Sequence, residues 1–104
     1  MQINIQATGL ELTEPLREYV VKRIGTLARY LKRFDDDLVK AEIEIGRTTK
    51  HHRHGDIYRA EVNLSLPGKM LRATHEDQDI RVAVDRVQDL LKREITQYKD
   101  RLEP

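Results

Sequence analysis

YRAEVNLSLPGKMLRATH, residues 58–75, is the stretch that decides the fold. Tyr58, Ala60, Val62, Leu64 and Leu66 alternate with Arg59, Glu61, Asn63 and Ser65. A period of two is what a strand with one buried face requires. Pro67-Gly68 is a turn signal, and Leu71 and Ala73 resume the alternation beyond it. The stretch therefore reads as a β-hairpin whose second strand runs over about 69–75.

Upstream, Val39, Ala41, Ile43 and Ile45 form another alternating strand, with Lys40, Glu42 and Glu44 on its opposite face. Residues 46–56 have no period and are bracketed by glycines, which predicts a flexible loop. At the start of the chain, Ile3, Ile5 and Ala7 alternate with Gln2, Asn4 and Gln6, giving a strand over 2–8 that Gly9 ends. Thr13 reads as an N-cap, followed by Glu14 and Pro15 in the first turn, where a negative charge and a missing N–H are both tolerated. Leu16, Tyr19, Val20, Ile24, Leu27 and Leu31 then predict one long amphipathic helix to about Lys32, stopped by Asp35-Asp36-Asp37. After the hairpin, Asp77 or Asp79 can cap a final helix whose stripe is Ile80, Val84, Val87, Leu91, Ile95, Tyr98 and Leu102. The order is β-α-β-β-β-α. Sheet faces that are charged on one side, with two singly striped helices, imply an α+β fold in which both helices cover one face of a four-stranded sheet.

Composition narrows the function. With 104 residues the chain is expected to be one domain, 1–104. Apolar residues are 38% and charged residues 36%, and the net charge is only +1, so the placement of charge matters more than its total. Cysteine is absent, which excludes disulfides, thiolate metal sites and cysteine nucleophiles. The N-terminus lacks the pattern of a signal peptide, and no apolar run approaches membrane length. A soluble cytoplasmic protein is expected.

The helices hold the best candidate site. Residues 13–34 carry six basic side chains against two acidic ones, +4, and Lys22, Arg29 and Arg33 fall on one outward stripe. The last helix interleaves Arg81, Arg86, Lys92, Arg93, Lys99 and Arg101 with six acids counted from Asp77. Such clusters suit a phosphate backbone, although a solvated helix face would look the same. His51, His52 and His54 could bind a metal, but Arg53 between them repels a cation, and a loop touching phosphate is the better reading. Asp35-Asp36-Asp37 lacks the spacing of a calcium loop. Ser65 is the only serine and lies on an outward strand face, and no Gly-rich phosphate loop is present, so no enzyme is expected and neither a metal nor another cofactor.

Leu12-Thr-Glu-Pro-Leu-Arg-Glu-Tyr-Val20, Leu71-Arg-Ala73 and Asp79-Ile-Arg-Val-Ala-Val-Asp85 resemble the ribosome hibernation promoting factor family, also known as ribosome-associated inhibitors or sigma-54 modulation proteins. The likeness runs over nearly the whole chain. It implies the same element order, a similarity to double-stranded RNA-binding domains, and binding to the small ribosomal subunit near the decoding centre. There it implies blockade of the mRNA and tRNA path in idle or stressed cells. By position it assigns RNA contact to Arg23 and Arg29 of the first helix and to Arg93, Lys99 and Arg101 of the second. Thr26, Leu90 and Gln97 stand where such proteins often carry lysine, and Glu94 where glutamine is usual, while Arg81, Arg86 and Lys92 restore charge. Ending after the second helix is expected to mark a short form without the C-terminal domain of long members. The expected partners are the small subunit and its ribosomal RNA, with no membrane and no small-molecule substrate, for a monomer.

A rival reading is a protein–protein regulator. It would use Leu90 as part of a contact patch or dimer interface. Helical spacing beside Leu91 favours core packing for Leu90 instead.

Overall fold

The computed structural model describes residues 1–48 and 55–102. Six main elements follow in order: β1 (Gln2–Thr8), α1 (Glu14–Gly25), β2 (Lys40–Arg47), β3 (Tyr58–Leu66), β4 (Lys69–Asp77) and α2 (Ile80–Leu102). Two short 3-10 segments, Thr26–Tyr30 and Asp36–Leu38, lie between α1 and β2. The architecture is the α+β arrangement that the residue periods imply.

The sheet is ordered β1-β2-β3-β4. β1 runs parallel to β2, with Ile5 opposite Ile43, and β2, β3 and β4 are antiparallel neighbours. Pro67-Gly68 closes the β3–β4 hairpin between paired Leu66 and Lys69, and Gly68 takes the positive φ of 79° that such a turn needs. Ala41, Ile43, Ile45, Ala60, Val62, Leu64, Leu66, Leu71 and Ala73 point to one face. The helices bury Leu16, Val20, Ile24, Ala83, Val84, Val87, Leu91 and Ile95 against it.

Three boundaries differ from the sequence reading. The predicted helix to Lys32 is α-helical only to Gly25 and continues as 3-10. The spacing of apolar residues does not reveal this, because Ile24, Leu27 and Leu31 stay buried in either form. The Asp35-Asp36-Asp37 run therefore does not stop α1; Asp35 caps the second 3-10 segment by accepting from the Asp37 N–H at 3.1 Å. Gly46, read as the start of a loop, is part of β2 opposite Thr8 and Arg59. A Cβ there would sit 2.8 Å from the Thr8 carbonyl oxygen, so the close approach of β1 requires glycine. The His51, His52 and His54 tract lies outside the described residues.

Two smaller expectations also shift. Leu102 is exposed, so the α2 stripe ends at Tyr98, which stacks on Phe34 with ring centroids 6.4 Å apart. Leu90 is 37% exposed and is not a core residue: it points between the buried stripe and solvent. The Thr13 cap holds, its hydroxyl accepting from the Leu16 N–H at 3.4 Å, and Asp79 caps α2 by accepting from the Arg81 N–H at 2.8 Å.

Candidate nucleic-acid interface

The two helices meet along a polar seam of four rungs. Residues 19, 23, 26 and 30 on the first side face 81, 85, 88 and 92 on the second, and both sets step by four, three and four. The Arg81 guanidinium lies over the Tyr19 ring at 5.4 Å. Asp85 Oδ1 accepts from the Tyr19 hydroxyl at 2.6 Å and from Arg23 Nε at 2.8 Å. Gln88 Nε2 donates to Thr26 Oγ1 at 3.3 Å, and that hydroxyl donates to the Arg23 carbonyl at 2.6 Å. The Lys92 ammonium sits over the Tyr30 ring at 5.2 Å. Because both sets of numbers rise together, the helices run side by side in the same direction.

These contacts fix the electrostatics of the seam. The Tyr19 hydroxyl is held above its ordinary pKa, chiefly by its hydrogen bond to the Asp85 carboxylate and then by burial. Asp85, in turn, is the anion that keeps Arg23 in place. Gln88 is buried among apolar side chains and its amide N–H finds an acceptor in Thr26, which avoids the cost of a buried unpaired polar group.

The ten cations singled out in the sequence do not form one cluster. Lys22 in α1 and Arg29 in the 3-10 segment are exposed next to the seam residues Arg23 and Tyr30, while Arg33 is exposed in the turn that follows, so the single α-helical stripe expected for these three is not formed. Arg23, Arg81 and Lys92 belong to the seam itself, and Lys99, seven residues after Lys92, is half-buried on the same side of α2. Arg86 and Arg93 lie on the other flank of α2, around a depression of about 360 Å³ shared with His75, Asp77, Asp89 and Leu90. Arg101 is separated from the rest, lining a cleft against the start of β4. Asp77 and Asp79 precede α2, so the helix itself holds six basic residues and four acidic ones, +2 rather than zero.

Sequence reasoning missed Asp85, Gln88 and the aromatic platforms Tyr19 and Tyr30. The matching four-three-four spacing of residues 19, 23, 26 and 30, across α1 and the 3-10 segment, with 81, 85, 88 and 92 in α2 is the signal that could have found them. Among the described residues, no group of three or more His, Cys, Asp or Glu side chains converges as a metal site, and no helix is long and apolar enough to cross a membrane.

Comparison with known proteins places this architecture. Residues 3–103 match the family model described as Sigma 54 modulation protein / S30EA ribosomal protein. The chain is 31% identical over 102 residues to the ribosome hibernation promoting factor of Escherichia coli K12, covering 98% of this chain and 97% of that protein. It is 32% identical to the ribosome hibernation promotion factor of Deinococcus radiodurans, covering 97% of this chain but spanning only 51% of that longer relative. The crystal structure of the Thermus thermophilus Protein Y N-terminal domain superposes with a TM-score of 0.74 at 31% identity, over 94% of this chain and 99% of that one. The chain belongs to the Sigma 54 modulation protein / S30EA ribosomal protein family.

Proposed function

We propose that this chain is a ribosome hibernation factor that binds the small ribosomal subunit near the decoding centre and blocks the mRNA and tRNA path. Relatives that it matches along nearly its whole length are named for ribosome hibernation. The observation that carries the reading is the helix pair, in which Arg23, Arg81 and Lys92 are held by contacts across the seam and Lys22, Arg29 and Lys99 lie beside it. A preformed cationic surface of this kind meets phosphate without an ordering cost. Arginine adds planar, bidentate donors. Recognition follows RNA shape and phosphate position, since Tyr19 and Tyr30 are already covered by cations and are not open to bases.

In this reading the chain acts by occupancy, without chemistry or cofactor, as a cytoplasmic monomer and a single ribosome-binding domain. Reversing Arg93 and Lys99 to glutamate abolishes co-sedimentation with small subunits while the melting temperature stays near wild type; undiminished pelleting of the double variant would falsify RNA contact through these two α2 residues. A second reading, a protein-binding regulator that does not contact ribosomes, draws on the exposure of Leu90 beside Arg86 and Arg93. Salt distinguishes them. Phosphate-driven pelleting falls steeply as salt rises and is competed by transfer RNA, whereas an apolar interface barely responds.

A further inference from the structure

Glu94 lies on the side of α2 turned away from the seam, where the end of the helix overhangs the start of β4. A cleft of about 240 Å³ opens there, and its polar lining is Lys69, Arg72, Glu94, Gln97, Tyr98 and Arg101. Glu94 Oε2 is buried without a hydrogen-bond partner. A carboxylate oxygen removed from water and given no donor costs free energy. Burial accordingly pushes the Glu94 carboxyl above its ordinary pKa, and the Lys69 ammonium pulls it back in part. Every charged or titratable group lining the cleft comes from two elements. β4 supplies Lys69 and Arg72, and Arg72 already donates to Glu61 on the outer sheet face. α2 supplies Tyr98 and Arg101 beside Glu94 itself.

We propose that this cleft is a second phosphate site for RNA, held by Lys69 and Arg101 with Arg72 at its rim, and that the charge on Glu94 sets its occupancy. The proposal rests on the RNA-binding reading above and adds a site on the far side of α2. With Glu94 ionised, its carboxylate repels a phosphate and competes with it for the field of the Lys69 ammonium. With Glu94 neutral, that repulsion is gone and the carboxyl O–H becomes a donor to the incoming oxygen. Proton and phosphate therefore bind cooperatively, and the coupling is reciprocal. Each unit by which phosphate raises the Glu94 pKa corresponds to about a tenfold gain in affinity on protonation.

The site is tested first on the chain alone, by NMR titration with sulfate, whose charge is constant from about pH 5.5 to about pH 8, far above its last ionisation. Wild type is expected to show amide shifts at Lys69, Arg72 and Arg101 that strengthen toward the acid end. Glu94→Gln should bind more tightly than wild type at the alkaline end, and Lys69→Met with Arg101→Gln should lose the shifts. The readout is the difference between wild type and Glu94→Gln rather than the slope of either, so that other groups titrating in the window cancel. Equal sulfate affinity in the two proteins, or shifts that miss the cleft, would overturn the site. Small subunits are the second arm, where Glu94→Gln should pellet more tightly at the alkaline end. No pelleting by any variant, with the sulfate behaviour intact, would remove the ribosome reading and leave the anion site. Pelleting that ignores Glu94→Gln would show that the cleft does not hold RNA phosphate.

Discussion

Asp85 carries more of the candidate site than any cation near it, because one oxygen accepts from both Tyr19 and Arg23. A hydrogen bond to a charged acceptor contributes roughly 1.5–3 kcal/mol when buried. The Arg23 and Asp85 side chains are 37% and 36% exposed, so solvent screening reduces that contribution. Asp85→Ala is expected to cost about 1–2 kcal/mol, read as a fall of roughly 4–15 °C in melting temperature. An unchanged melt would mean that the seam is held by packing alone. The Tyr19 hydroxyl gives an independent check through pH. Its pKa in the folded chain is raised above the ordinary 10.0. Its contribution is therefore fully present below that value and disappears as pH climbs through the folded pKa. Urea denaturation should show wild type losing stability above about pH 10 more steeply than Tyr19→Phe, and parallel curves would contradict the assigned hydrogen bond.

Among the elements, β3 and α1 show where the sequence could and could not be read. The strands were legible because one-sided burial imposes a strict period of two, and Ala60, Val62, Leu64 and Leu66 obey it. The end of α1 was not, since Ile24, Leu27 and Leu31 fit an α-helix and a 3-10 turn alike. At that junction the Thr26 hydroxyl donates to the Arg23 carbonyl, an interaction that leaves no trace in hydropathy. Gly46 was misread for a related reason. A glycine after an alternating run signals a strand end, but here it marks the approach of a parallel neighbour. Gly46→Ala would force the Thr8 carbonyl away, and overpacking of this kind costs typically about 1–3 kcal/mol. Equilibrium denaturation should show that loss, and a neutral result would mean that β1 can shift without breaking its register with β2. The basic residues of the candidate site were visible as charges, but their sorting among three surfaces was not. That sorting depends on which flank of α2 meets α1, a fact carried by Asp85 and Gln88 and by no run of like charge.

Across the whole molecule, a formal charge of +1 conceals an uneven distribution. On the outer face of the sheet, Glu61 receives both Arg59 and Arg72, and Glu42 accepts from the neutral Asn4 amide. The helix side leaves Lys22 and Arg29 exposed next to a seam that already contains Arg23, Arg81 and Lys92. If the helix side meets ribosomal phosphate, charge reversal there and on the sheet must have different consequences, although each lowers the net charge. Lys22→Glu with Arg29→Glu should weaken small-subunit binding and flatten the plot of log affinity against log salt by roughly 0.7–0.9 for each phosphate no longer neutralised. Lys40→Glu with Arg59→Glu, on the sheet, should leave that slope unchanged. Equal effects from the two pairs would mean that subunit binding follows net charge instead of the helix surface. Weaker binding confined to the helix pair with no change in slope would also count against phosphate, because counterion release ties the number of neutralised phosphates to the salt dependence.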